Sequence, residues 1–301
     1  MAVLCGPTAA GKSALALALA ERHGLAIISA DSRQVYRGFD VGTAKSSPEE
    51  RSRLTHYGLD VADPVERYSA ARWVEGARQW IADAEATGRT PLVVGGTGFY
   101  LRALAEPLFV EPPLDPVRRA DLATELAALP LPALRERVRA LDPSRAHLGR
   151  AQLLRAIEVS TLTGRPISEW HRERGGGEGH TLRYLIVDPG REELRARIAE
   201  RADAMFRAGW ADEVRALMEL VPADAPAWNA TGYDVVRELV SGRLAPDVAR
   251  ERVVVATRQY AKRQRTWFRH QLAGADVTLL DPRAADADAL VERWWTEILE
   301  R

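Results

Sequence analysis

Residues Gly6-Pro7-Thr8-Ala9-Ala10-Gly11-Lys12-Ser13 fit the pattern G-x-x-x-x-G-K-[ST]. They stand between an apolar run at residues 2–5 and a helical pattern at residues 12–23, the strand–loop–helix setting that this loop requires. The glycines let backbone N–H groups turn inward around a phosphate. The helix start adds partial positive charge, Lys12 a point charge, and the Ser13 hydroxyl a ligand for Mg²⁺. Such a loop needs a strand buried in a parallel sheet and a helix lying on that sheet.

The rest of the chain repeats the alternation. Short apolar runs at residues 25–29, 91–94, 182–187 and 277–280 read as further strands. Helical patterns cover residues 69–87, 192–220 and 249–272. The expected fold is α/β, a phosphate-loop parallel-sheet core covered by helices. Residues 111–180 break the rhythm. They open with Glu-Pro-Pro-Leu-Asp-Pro, hold three helical patterns (116–129, 132–141 and 151–162), and close on Gly175-Gly176-Gly177-Glu178-Gly179, a linker composition. The chain is therefore read as core (1–110), an all-helical insertion domain (111–180), and core again (181–301).

With 301 residues, 46% of them hydrophobic and 28% charged, the chain is long enough and apolar enough to bury a core. Its 42 basic residues balance 42 acidic ones, so a nucleic-acid partner would need a local patch. One cysteine, Cys5, excludes an intramolecular disulfide and a cysteine-rich zinc site. The six histidines show no metal-ligand spacing. No stretch reaches the ~20 apolar residues of a membrane span. Residues 1–5 lack a basic leader, so a cytoplasmic protein is expected.

The loop identifies a di- or triphosphate, not a reaction. A kinase or NTPase should also carry an apolar strand ending in a magnesium-binding Asp. The strand at residues 91–94 ends instead in Gly95-Gly96-Thr97-Gly98. The strand at 25–29 does lead to Asp31, but Ser32-Arg33-Gln34-Val35-Tyr36 follows, which suits substrate recognition as well as a metal.

Only three of the basic residues are lysines, Lys12, Lys45 and Lys262. Residues 250–269 carry seven basic residues against one acid, Glu251. Arg258, Lys262, Arg265 and Arg269 recur at helical spacing, interleaved with Tyr260, Trp267 and Phe268. That is either an RNA surface, with a cationic stripe for phosphates and aromatic faces for bases, or a solvated helix face over core aromatics.

Taken jointly, these segments resemble the tRNA dimethylallyltransferase (tRNA isopentenyltransferase) family. The phosphate loop is followed by Asp31-Ser32-Arg33-Gln34-Val35-Tyr36 and Asp40-Val41-Gly42-Thr43-Ala44-Lys45. Later come Gly95-Gly96-Thr97-Gly98-Phe99-Tyr100, Arg155-Ala156-Ile157-Glu158-Val159 and Lys262-Arg263-Gln264-Arg265-Thr266-Trp267-Phe268-Arg269. The loop alone is generic; the ordered set is specific.

The resemblance implies transfer of a dimethylallyl group from dimethylallyl diphosphate to N6 of the adenosine next to the anticodon of tRNA, by a monomer. The loop (Gly6, Pro7, Thr8, Ala9, Ala10, Gly11, Lys12, Ser13) would hold the diphosphate, with Mg²⁺ on Ser13. Asp31 would be the general base, with Thr97 near the reacting adenine and Arg201 at the diphosphate. Contacts to the anticodon stem-loop would come from Asp31, Ser32, Arg33, Gln34, Thr97, Arg119, Gln152, Arg155, Gly232, Tyr233, Lys262, Arg263, Gln264, Arg265, Trp267 and Arg269. Ala151, Gln152, Asn229 and Asp234 depart from the family pattern at RNA-facing positions. A P-loop nucleotide or nucleoside kinase and an adenylate isopentenyltransferase are the competing enzymes.

Overall fold

The computed structural model describes residues 1–106, 112, 114–172, 179–272 and 274–300. The chain forms two compact units, Met1–Ala105 with His180–Arg301, and Glu106–Gly179. Four of the five linker residues, Gly175 to Glu178, lie outside the described residues, as do Glu111 and Pro113 of the opening Glu-Pro-Pro-Leu-Asp-Pro stretch.

The larger unit is built on a six-stranded parallel sheet in the order β3-β2-β4-β1-β5-β6. The strands are β1 (Ala2–Cys5), β2 (Ala26–Ser29), β3 (His56–Tyr57), β4 (Pro91–Gly95), β5 (Arg183–Val187) and β6 (Asp276–Leu280). Helices follow them: α1 (Lys12–His23), α2 (Pro48–Arg53), α3 (Ala70–Ala86) and α4 (Gly98–Ala105). The central strands β1 and β4 are buried on both faces, which is why they read as unbroken apolar runs rather than alternating ones. Strand β6 lies at an edge and leaves Leu279 exposed. Strand β3 has two residues, too few to show a period, and was not legible as a strand.

The helical unit comprises α5 (Pro116–Ala127), α6 (Leu131–Leu141), α7 (Arg150–Thr163) and α8 (Ile167–Arg172). It has its own core, with Leu126, Leu134, Val138, Leu153 and Ile157 at its centre. Buried Asp142 accepts from the Ser168 N–H at 2.9 Å and from the Ser144 hydroxyl, tying the end of α6 to the start of α8.

The larger unit resumes with α9 (Arg191–Arg207), α10 (Trp210–Leu220), α11 (Tyr233–Val240), α12 (Pro246–Gln271) and α13 (Ala287–Leu299). The single helix expected over residues 192–220 is two helices. Gly209 adopts φ +89°, a left-handed conformation open to glycine, and its N–H closes α9 on the Phe206 carbonyl. The break turns Trp210 into the core, where it is fully buried.

Candidate active site

The loop after β1 is shaped by close packing. Gly6 has φ +141°, and a Cβ there would lie 2.3 Å from the Val187 carbonyl oxygen at the end of β5. Ala9 also adopts a left-handed φ of +64°. Gly11 forms the cap of α1, and no side chain caps that helix end. Its first N–H groups are left without a side-chain partner, the condition for binding an anion. The Lys12 ammonium folds back on the Pro7 carbonyl at 2.7 Å. Arg197 on α9 donates to the Ala10 carbonyl at 3.2 Å and pairs with Glu193 at 2.7 Å.

A cavity opens at the carboxyl ends of β1, β2 and β4, where open α/β sheets bind ligands. Thr8, Lys12, Ser13, Asp31, Arg201 and Gln264 line it. Burial is the main cause that pushes the Lys12 ammonium down to about 8; neighbouring Arg201 lowers it further, and Asp31 opposes both. Burial likewise lowers Arg201, again against Asp31. Among the described residues Arg201 has no ion-pair partner. Two enclosed cations thus face one carboxylate, an excess of positive charge that an anion would neutralise.

A second cavity shares Thr8, Asp31, Thr43 and Arg201 with the first. Its further lining is largely apolar, with Ile198, Met205, Trp210 and Val253, and includes Arg33 and Tyr260. Asp31 and Arg201 stand where the two cavities meet. Asp31 is half-buried, and its Oδ1 accepts from the Arg33 N–H at 2.8 Å, which turns the chain after β2.

Thr97 is close to Asp31 but holds the backbone. Its Oγ1 accepts from the Ser32 N–H at 3.0 Å and donates to the Ser32 hydroxyl at 3.3 Å. Tyr260, read in the sequence as part of the basic-aromatic surface, faces inward; burial and Asp31 raise its phenol above the usual range. Gln34 also braces the interior. Its amide donates to the Thr43 and Ala44 carbonyls at 3.2 and 3.1 Å and accepts from the Ser29 hydroxyl at 3.0 Å.

Two residues that carried no assigned role hold the loop between β2 and α2. Lys45 is fully enclosed, donating to the Tyr36 carbonyl and pairing with Asp40 and Asp60. Glu213 on α10 accepts from the Asp40, Val41 and Gly42 N–H groups and from the Tyr233 hydroxyl at 2.7 Å. Tyr233 is 0% exposed, and Gly232 (φ +92°) packs against Trp210. The expected RNA contacts at Gly232 and Tyr233 are therefore corrected: both are interior, committed to the Glu213 clamp and its packing. Asp234 and Asn229 beside them are exposed.

The cationic stripe on α12 divides. Arg258, Lys262, Arg263 and Arg269 are exposed, and Lys262, Arg263, Thr266, Trp267 and His270 line an open groove. Arg265 turns away and pairs with Asp188, just beyond β5, at 2.8 Å. Gln264 is 6% exposed and faces inward, so its expected place on an RNA surface is also corrected. Trp267 packs on Gly98, where any Cβ would strike its ring. In the helical unit, Arg119 and Arg155 converge on one carboxylate, Glu158. Gln152 accepts from the Gly149 N–H at 3.2 Å, capping α7.

Known proteins resemble the chain over nearly its full length. The IPP transferase family profile matches residues 34–271, and the Isopentenyl transferase profile matches residues 1–62. A tRNA dimethylallyltransferase of Deinococcus radiodurans is 42% identical, covering 97% of this chain and 96% of its own. One from Halorhodospira halophila is 44% identical, with 96% of each chain covered. Among solved structures, the tRNA isopentenylpyrophosphate transferase of Bacillus halodurans matches at a TM-score of 0.69 and 31% identity, covering 99% of this chain and 95% of that one. A eukaryotic dimethylallyltransferase acting on tRNA matches at a TM-score of 0.81 and 25% identity, covering 97% of this chain and 77% of that one. Matched by the family profile over most of its length and sharing more than two-fifths of its residues with the two bacterial enzymes, the chain belongs to the tRNA dimethylallyltransferase (IPP transferase) family.

Proposed function

We propose that this enzyme transfers a dimethylallyl group from dimethylallyl diphosphate to the exocyclic N6 of the adenosine next to the anticodon of tRNA. The observation that carries the reading is the excess of enclosed positive charge, Lys12 and Arg201 against Asp31, at an uncapped helix start that meets an apolar cavity. A diphosphate fits the first cavity. The second offers a water-poor wall for an allyl group and its acceptor.

The adenine amine is a weak nucleophile because its lone pair is delocalised into the ring. The allylic carbon compensates, since positive charge spreads over three carbons as its C–O bond stretches. N6 forms the new bond to that carbon while the C–O electron pair leaves with the diphosphate. Lys12, Arg201 and the free N–H groups of α1 stabilise the negative charge that develops there. Asp31 takes the proton that N6 loses. Apolar lining from Ile198, Met205 and Val253 keeps water from intercepting the reactive carbon. The adenosine must leave its stack to reach this depth.

Ser13 and Asp31 line the same cavity and offer one hydroxyl and one carboxylate, hard oxygen donors that suit Mg²⁺ bound together with substrate phosphate oxygens. No cluster of three or more His, Cys, Asp or Glu side chains among the described residues would hold a metal unaided. Bound there, Mg²⁺ would add further charge neutralisation for the leaving diphosphate.

On this reading the enzyme works as a monomer in the cytoplasm. Among the described residues no helix is long and apolar enough to cross a membrane. The test is to incubate the enzyme with radiolabelled dimethylallyl diphosphate and, separately, tRNA, AMP or ATP. Label is expected on tRNA alone. Label on AMP or ATP would identify a prenyltransferase of free nucleotides, and ATP turnover without prenyl transfer would identify a kinase.

The divided α12 stripe makes a separate prediction for RNA binding. Exposed Arg269 should behave as a phosphate contact, so Arg269→Ala should reduce the slope of log affinity against log salt by about one counterion. Arg265 is already paired with Asp188. Arg265→Ala should leave that slope nearly unchanged and lower thermal stability instead. Equal slope changes in the two variants, measured by filter binding, would refute the division.

A further inference from the structure

We infer that Gln264 is a positioning residue for the diphosphate loop and not an RNA contact. It lies within the Lys262–Arg269 motif, among residues that face solvent, yet its own side chain points into the sheet end. Its Oε1 accepts from the Thr8 N–H at 2.8 Å, and its Nε2 donates to the Gly96 carbonyl at 2.9 Å. One amide therefore joins the loop after β1 to the loop after β4. The next residue, Arg265, reaches Asp188 after β5 at 2.8 Å. Two consecutive residues of α12 thus tie down the carboxyl ends of three adjacent strands, β4, β1 and β5.

The chemistry of the side chain is specific. Gln264 needs an acceptor and a donor at once, on a stem long enough to reach past the helix surface. Glutamate would set an oxygen against the Gly96 carbonyl. Asparagine is one methylene short. An apolar residue would leave the half-buried Thr8 N–H and the buried Gly96 carbonyl without this partner. Gly96 is shaped to admit the amide, because a Cβ there would lie 2.3 Å from Nε2.

The loop has reason to need the clasp. Its anion-binding ability depends on where its N–H groups point, and its backbone includes a non-glycine residue, Ala9, at φ +64°. Such a conformation persists only where the surroundings over-determine it. Gln264 occupies the Thr8 N–H, which fixes the first half of the loop and leaves the later N–H groups, at the start of α1, directed to the ligand. The assignment rests on the diphosphate reading above.

The test uses the full-length enzyme and the Gln264→Met variant, which keeps an unbranched chain of similar volume. Inorganic pyrophosphate is titrated by calorimetry, tRNA affinity is measured by filter binding, and steady-state kinetics give kcat and KM. The expected result is a rise of about tenfold or more in the pyrophosphate Kd and in KM for dimethylallyl diphosphate, from the loss of one buried and one half-buried hydrogen bond. The changes in kcat and in tRNA Kd should be much smaller. Unchanged pyrophosphate binding overturns the assignment, and so does a loss of tRNA affinity that equals or exceeds the loss for pyrophosphate. Should Gln264→Met fail to fold, Gln264→Glu keeps the Thr8 acceptor and the same pattern is required of it. The wild-type titration separates the two levels: a wild type that binds no pyrophosphate refutes the diphosphate reading itself, whereas binding that Gln264→Met leaves intact refutes only the role of Gln264.

Discussion

Lys12→Ala is expected to abolish prenyl transfer while leaving tRNA affinity largely intact. Lys12 lies in the phosphate loop, lines the cavity with Ser13 and Arg201, and takes no part in the exposed stripe of α12. Its removal takes one of two enclosed cations from the site where the leaving group gathers charge. A matching loss of tRNA affinity in filter binding would contradict that separation. The same residue sets a pH dependence. In the free enzyme Lys12 is pushed down to about 8, first by burial and then by Arg201. A bound diphosphate favours the charged ammonium and so raises its pKa. Binding then takes up a proton above pH 8. Affinity for dimethylallyl diphosphate should be fully present below pH 8 and fall as pH rises beyond it, by up to about tenfold per pH unit. Lys12→Arg provides the control, since a guanidinium stays charged through this range. Its profile should lack that fall, reporting only whatever else titrates. Identical slopes for wild type and Lys12→Arg would show that Lys12 is not the group that titrates.

Asp31→Asn is expected to lower the single-turnover rate about 10²–10⁴-fold, the usual reach of general acid–base catalysis. The substitution keeps the shape and the Oδ1 bond to the Arg33 N–H, so the turn after β2 should survive. It removes the one carboxylate common to both cavities. The neighbouring cations make a second outcome specific: without Asp31, Arg201 and Lys12 lose the charge that opposes their depression. The competing role for Asp31 is to position Mg²⁺ with Ser13. Raising Mg²⁺ distinguishes the two. A base leaves a deficit that Mg²⁺ does not repair, whereas recovery to near the wild-type rate would transfer Asp31 to the metal and leave prenyl transfer standing.

Much of this protein was legible in one dimension because its signals are local. The phosphate loop is contiguous, its glycines are demanded by a strand–helix turn, and its flanking elements, Ala2–Cys5 and Lys12–His23, lie where residues 2–5 and 12–23 predict them. The parallel sheet followed from apolar runs set between helices, and the helical insertion from their absence. Elements without periodicity escaped, as the two-residue strand at His56–Tyr57 did. Others were concealed within a longer pattern: residues 192–220 are apolar at helical spacing throughout, and only Ala208 and the left-handed Gly209 separate two helices.

Which way a side chain faces is a different kind of information. Lys262, Gln264, Arg265 and Arg269 occupy one short polar stretch, and sequence spacing places them all on or near an RNA-facing helix. Packing sorts them. Lys262 and Arg269 remain in solvent, Arg265 is drawn to Asp188, and Gln264 is drawn to the Thr8 N–H and to the buried Gly96 carbonyl, where an unmet hydrogen bond is costly. Tyr233 and Glu213 find each other across twenty positions for the same reason, and Lys45 is committed to Asp40 and Asp60. The sequence by itself determined the strand–loop–helix at the start of the chain, the sheet and the family, because these are carried by contiguous motifs and by hydrophobic period. Only the tertiary structure decided which polar residues face the cavities, which brace the loops and which stay in solvent. That choice depends on partners supplied by distant parts of the chain and on the cost of burying a polar group without one.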